Sequence, residues 1–264
     1  MRYRSALREL AEVTESQWGM VTSAQAIARG LSHVDLARLA DSGDLVRIAH
    51  GVYKDAGAPS DEHQELRAAW LSIEPGRLAE QRIRDRPGFA TVSGESAAAL
   101  HGVGELRTMR SEFTTLKRKQ TQRSDIRYRV RPLTEEEVTL RAGLPVTTLE
   151  RTIADLLESR VDPSLIGGVV RDAALRFRID YSRLIEQLNP LASRYGFRKG
   201  DGEGLLEHLQ AVAGITAESL ALRLGQSLML ITPEEFERLP DENRERVQEL
   251  AHEMIETLQN KAQT

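Results

Sequence analysis

Ser32, His33, Val34, Ala37 and Arg38 share one stretch at helical spacing, with Arg47, His50 and Lys54 close behind. Arginine can grip a guanine edge through two hydrogen bonds, and small apolar side chains can rest on thymine methyls. Cations on a neighbouring hairpin can meet phosphates. Thr22 and Ser23, at the head of the preceding helix, complete the candidate set. Together these residue types suit contact with double-stranded DNA. Asp35, Asp41 and Asp44 nearly cancel the local cations, so this stretch alone would bind weakly in salt.

The elements that must hold these residues lie between Met20 and Tyr53. Met20 and Val21 form a short apolar edge. Thr22 or Ser23 caps a helix whose inward residues are expected to be Ala24, Ile27 and Ala28, ended by Gly30. Leu31 plugs the corner. Ser32 opens a second helix, and Asp35 three residues on completes a capping box. Leu36, Leu39 and Ala40 form its apolar face, which leaves His33, Val34, Ala37, Arg38 and Asp41 outward. Ser42-Gly43-Asp44 turns the chain into two β-prone runs, Leu45–Ile48 and Gly51–Tyr53. Residues 2–17 add a first helix. This is the plan of a winged helix-turn-helix, whose second helix can enter a major groove. The competing reading is a helix pair and hairpin used only for packing or dimerisation.

The 264 residues suffice for about two domains. No cysteine is present, so disulfides and thiolate metal sites are excluded, and a reducing, cytoplasmic setting is expected. No signal peptide or membrane span is read. A net charge of −4 hides an uneven distribution. Residues 107–131 hold nine Lys/Arg against Glu112 and Asp125, whereas residues 201–264 hold thirteen acids against five bases. Ile126, Tyr128 and Val130 alternate with Arg127, Arg129 and Arg131 along one expected strand. That arginine face is either a solvated sheet edge or, with Lys117, Arg118 and Lys119, an additional basic surface for phosphates.

Ala56-Gly57-Ala58-Pro59-Ser60 reads as a flexible linker between separate cores. Beyond it a helix is expected over Asp61–Ile73, a loop over Arg82–Pro87, and a strand over Phe89–Val92. A helix is then expected over Glu95–His101, closed by Gly102, with His101 read as a satisfied helix-end histidine, a place where a cation suits the dipole. Phe113–Leu116 and Ile126–Val130 read as strands, Glu135–Val138 as a turn or short helix, and Leu144–Thr147 as extended. Thr148 caps a helix to Glu158, and Asp162-Pro163 starts another to about Phe177. Tyr181–Leu188, Gly204–Ala213 and a final stripe over Asp241–Gln259 continue a helical tail, with a capping box at Thr232. Gly200–Gly204 reads as a flexible loop.

Catalytic patterns are scarce. No H-E-x-x-H, G-x-S-x-G, P-loop or dinucleotide fingerprint occurs. Glu112 beside Lys117 and Lys119 faintly suggests a metal-dependent nuclease, but clustered carboxylates are lacking. No catalytic residue, metal site or cofactor is expected, and the chain is not read as an enzyme.

Three segments in order resemble the antitoxin family of the AbiE abortive-infection systems (AbiEi-like, type IV toxin–antitoxin). They are the Ser32 helix with Gly43–Arg47 and Gly51–Tyr53, then Val92–Gly102, then Gly143–Leu156 with its P-V-T and R-T…D-L pattern. The resemblance spans about residues 15–180. It implies repression of the protein's own operon through double-stranded operator DNA, expected to carry inverted repeats. It also implies neutralisation of a nucleotidyltransferase-type toxin, with direct contact left open. Ile48-Ala49-His50 stands where relatives are often richer in arginine, and residues after about Leu188 carry no family motif. The expected fold is α+β: a winged helix-turn-helix DNA-binding domain over 1–56, then a larger mixed α/β antitoxin domain over 61–264 with a helical tail. The alternative is a stand-alone winged-helix repressor whose C-terminal domain senses a ligand or dimerises.

Overall fold

The computed structural model describes residues 3–177 and 179–215 and is a mixed α+β fold. Its elements run α1 (Tyr3–Ser16), β1 (Met20–Thr22), α2 (Ser23–Ala28), α3 (His33–Asp41), β2 (Leu45–Ala49), β3 (Val52–Asp55), α4 (Gln64–Ile73) and α5 (Ala79–Arg84). Next come β4 (Thr91–Val92), α6 (Gly94–His101), β5 (Ser111–Thr115), β6 (Ile126–Val130), β7 (Val138–Arg141), β8 (Leu144–Thr147) and α7 (Leu149–Glu158). Helices α8 (Pro163–Arg176), α9 (Tyr181–Leu188) and α10 (Gly202–Val212) end the described chain. It divides into two compact units between Ser159 and Arg160.

In the first unit, α1–α3 enclose Leu10, Val13, Val21, Ala26, Leu31, Leu36, Leu39 and Leu45. Burying each such leucine stabilises by roughly 1.5–3 kcal/mol. Thr22 and Ser32 each form a capping box, with Gln25 and Asp35 respectively. Strands β1, β3 and β2 make an antiparallel sheet in that order. The inward face of α2 differs from expectation. Gln25 and Ala26 are buried, while Ile27 is 43 % exposed and Ala28 is also exposed. A polar residue can go inside here because its amide is satisfied. Gln25 exchanges hydrogen bonds with the Gln17 amide, accepts from the Thr22 N–H and donates to the Arg77 carbonyl.

The same network overturns the flexible joint. Gln17 also accepts from the Ala79 N–H at 2.7 Å, and Thr22 donates to the Pro75 carbonyl. Met20 and Val52 belong to one core with Trp70, Leu71, Phe113 and Val146, so the segment 1–56, beside its own α1–α3 core, also packs into the core of α4 and the second sheet. The 56–60 segment is an ordered turn: Ala56 N–H reaches the Asp44 carbonyl, and Ala58 N–H the Asp55 carbonyl. Gly143, at the tip between β7 and β8, has φ +80, and a Cβ there would lie 2.8 Å from the Trp18 ring nitrogen. The compact division therefore falls at Ser159/Arg160 rather than at the linker composition.

The second sheet has the order β6-β5-β4-β8-β7, with β4/β8 and β5/β6 parallel and the other pairs antiparallel. Strand β7 was not legible as a strand, because its pairing with β8 comes from a four-residue hairpin register. The expected loop over Arg82–Pro87 is instead partly α5. Fully buried Arg82 packs against the Trp70 and Phe89 rings, 3.6 and 4.2 Å from their centroids. It donates to the Trp70 and Leu71 carbonyls at the end of α4. Burial lowers its pKa to about 9, and the side chain stays charged at neutral pH.

In the second unit, α8–α10 bury Ile166, Val169, Leu184, Leu188, Leu205 and Leu209. Gly200–Gly204 is not a loose loop. Asp201 caps α10 by accepting from the Gly204 N–H at 2.9 Å, and a Cβ on Gly202 would lie 2.4 Å from the Ile185 carbonyl. The stripe over Asp241–Gln259 and the Thr232 capping box lie outside the described residues.

Candidate nucleic-acid interface

Helix α3 is held by its cap and by Leu36 and Leu39, each 1 % exposed. That anchoring turns Ser32, His33, Val34, Ala37 and Arg38 outward, all exposed, with Val34 at 57 %. The Ser32 hydroxyl donates to Asp35 Oδ2 at 2.7 Å and accepts from the Asp35 N–H at 3.1 Å. The Ser32 hydroxyl and then its N–H hold the Asp35 carboxyl below its ordinary 3.8. On the hairpin, Arg47 and His50 are exposed and meet each other, Arg47 Nη2 to His50 Nδ1, at 3.1 Å. The ladder shifts register between Arg47 and Ala49, which bends this strand end.

Other members of the expected set are not on this surface. Thr22 is fully buried, its hydroxyl committed to the α2 cap and to the Pro75 carbonyl. Ser23 is half-buried, with its hydroxyl 3.4 Å from the Gly51 carbonyl. Lys54 is 4 % exposed, and its ammonium bonds the Ser60 hydroxyl and the Pro59 carbonyl. It faces inward because β3 is the central strand of its sheet, with Lys54 on the same face as buried Val52.

The arginine face of β6 is largely neutralised by acids distant in sequence. Arg129 reaches Asp155 at 3.2 Å and Glu158 at 2.6 Å, and Arg131 reaches the same two at 3.5 and 2.5 Å. Arg151 joins Asp155 at 3.0 Å. Asp155 is fully buried, and a buried carboxylate needs such partners. Arg127 pairs with Glu112 at 3.0 Å, and Lys119 with Glu74 at 3.2 Å. Lys117 and Arg118 are exposed. The expected additional basic surface is therefore reduced to those two exposed cations and the exposed but acid-paired Arg127, while Arg129 and Arg131 serve an internal charge cluster.

Glu112, the carboxylate of the nuclease alternative, caps α6. Its Oε2 accepts from the Glu95 N–H at 3.2 Å, and only glycine at 94 leaves it room. Burial and then the Glu112 charge push the Glu95 carboxyl upward. His101, in the last turn of α6, is a hydrogen-bonded histidine as expected, and it is buried. Its Nε2 donates to the Thr147 carbonyl at 2.7 Å, and burial holds its pKa below the ordinary 6.5. Among the described residues no group of three or more His, Cys, Asp or Glu could hold a metal ion. No described helix is long and apolar enough to cross a membrane.

A solved structure, that of the RV2827C protein from Mycobacterium tuberculosis, shares the fold at 16 % identity, with a TM-score of 0.50 over 81 % of this chain and 82 % of that one. No curated protein matches the chain. Residues 8–53, from α1 through α2, α3 and the hairpin, match the family described as "Transcriptional regulator, AbiEi antitoxin", so the resemblance to AbiEi-type antitoxins read from the sequence holds over this segment.

Proposed function

We propose that this chain is an antitoxin-type regulator that binds operator DNA through a winged helix-turn-helix formed by α1–β3 and represses its own operon in the cytoplasm. The observation that carries the reading is the exposed face of α3, with Arg38, His33, Val34 and Ala37, beside Arg47 and His50 on the hairpin. Helix α3 enters the major groove, Arg38 takes a base edge, and Val34 and Ala37 meet thymine methyls. Ser32, Arg47 and His50 meet phosphates as the wing and the helix start do. Lys117 and Arg118 add contacts at the rim. Asp35 and Asp41 lie on the same helix, so a single module binds weakly, and inverted repeats would supply a second half-site. The remainder of the chain, residues 61–264, counters a nucleotidyltransferase-type toxin. This division is one of surfaces, since both tasks draw on the first compact unit.

Full-length protein and Arg38→Ala are compared by fluorescence anisotropy on the protein's own promoter fragment. Loss of one bidentate base contact, about 1–3 kcal/mol, weakens binding by up to about a hundredfold. The melting temperature stays put because Arg38 is exposed. Equal affinity for the promoter would remove α3 as the reading helix. Co-expression with a neighbouring nucleotidyltransferase gene tests the second task. Arg38→Ala is expected to derepress the operon and still protect growth, and failure of the parent chain to protect would remove the antitoxin role.

A further inference from the structure

A cleft of about 810 Å³ opens on the first unit. That volume lies in the range of small-molecule sites, roughly 300–1,000 Å³. His33 enters it from the start of α3, Arg47 and His50 from the hairpin, and Lys119 and Arg123 from the loop between β5 and β6. No carboxylate is among its lining residues. The acids that pair with the loop cations fix them from outside: Glu74 holds Lys119 at 3.2 Å and Asp125 holds Arg123 at 2.6 Å. Arg123 also donates to the Ser72 hydroxyl at 3.2 Å, which ties the loop to α4. Arg47 has a histidine as its neighbour instead of an acid. The remaining walls are apolar and aromatic, built from Ile27, Ile73, Ile126, Tyr53 and Tyr128.

We propose that this cleft binds a small organic anion, a phosphate or carboxylate carried on a flat apolar body, and that its occupancy controls DNA binding. The cations take the anionic group and the tyrosines and isoleucines take the body. A DNA strand would call for a track of cations, whereas here the cations line a cleft whose other walls are apolar and aromatic. Control follows from position. His33, Arg47 and His50 belong both to the cleft and to the surface assigned to DNA, so a ligand that engages them withdraws them from the duplex. This second half rests on the proposed function, while binding of the anion does not.

The test is calorimetry on the full chain without DNA, using adenosine monophosphate for the phosphate source and benzoate for the carboxylate source. Adenosine and benzamide serve as uncharged controls. One of the anions is expected to bind one-to-one and at least about tenfold more tightly than its control, with Arg47→Ala and Arg123→Ala each weakening it by roughly tenfold, as loss of a charge-assisted hydrogen bond does. No binding of either anion up to about 1 mM, or binding that ignores both substitutions, overturns the site. Promoter affinity is then measured with and without the bound probe. A fall of several-fold in the parent, abolished in Arg123→Ala, supports control, and an unchanged affinity overturns it. If Lys119→Ala and Arg123→Ala weaken promoter binding while neither probe binds, the cleft is a track for the DNA backbone and the inference fails. An anion that binds a chain unable to bind its promoter leaves the site standing and removes the DNA reading instead.

Discussion

Asp155→Ala removes the carboxylate on which Arg129, Arg131 and Arg151 converge at 3.2, 3.5 and 3.0 Å. Burial pushes the Asp155 carboxyl upward, against the pull of Arg151, Arg129 and Arg131. Burial also opposes ionisation of Glu158, but Arg131 and Arg129 win there and hold it below its ordinary 4.5. The two acids share two cations and shift in opposite directions because Asp155 is 0 % exposed and Glu158 is 26 % exposed. Deleting one member of a fully buried pair costs about 3–5 kcal/mol. The Arg129 and Arg131 side chains are 22 % and 24 % exposed, so water recovers part of that, and a loss of about 2–4 kcal/mol is expected. For a unit of this size each kcal/mol moves the melting temperature by about 2–4 °C, which gives a drop of about 4–16 °C. The assay is thermal unfolding followed by circular dichroism, paired with promoter titrations in salt. Arg129→Ala/Arg131→Ala is expected to melt early yet keep the salt dependence of DNA binding. Melting of Asp155→Ala within about 2 °C of the parent would refute the reasoning. So would a double variant of parental stability whose salt slope falls by about 1.8, the value for two lost phosphate contacts.

Three further outcomes rest on local geometry. Gly94→Ala places a Cβ 1.9 Å from Glu112 Oε2 at φ +58, so a loss of about 2 kcal/mol or more in urea unfolding is expected, and an unshifted midpoint would contradict it. Asp35 has its folded pKa below 3.8, so its ionised form contributes stability that is fully present above that value and lost as pH falls through the lower folded one. The stability gap between the parent and Asp35→Asn is therefore expected at neutral pH and to shrink as the pH falls through the lowered folded value, and a gap unchanged by acidification would rule this out. Gln17→Leu leaves the Ala79 N–H and part of the Gln25 amide unpaired in the interior, a cost of about 2–4 kcal/mol, and a parental melting temperature would show that the amide pair does not join α1 and α2 to α5.

The sequence by itself determined what acts over three or four residues. The Ser32–Asp35 box, the Thr148 and Asp162 caps, the Gly102 helix stop, the Tyr181–Leu188 helix and the outward face of α3 all come from capping chemistry and apolar spacing. Those signals are local, and the structure carries them as read. Tertiary structure decided which polar groups are free. Lys54 and Thr22 have the right types for a DNA surface, but β3 is a central strand and α2 is pinned to Pro75, so both are spent inside. Arg129 and Arg131 alternate as an exposed face would, yet their partners lie on α7, some thirty residues further along, and a periodicity of two cannot indicate what a strand packs against. Gln17, Gln25 and Arg82 are polar residues that sequence reading assigns to the surface. They lie inside because amide, carbonyl and aromatic partners from distant segments meet them there, and this shared interior, rather than the composition of residues 56–60, makes α1 through α7 one unit.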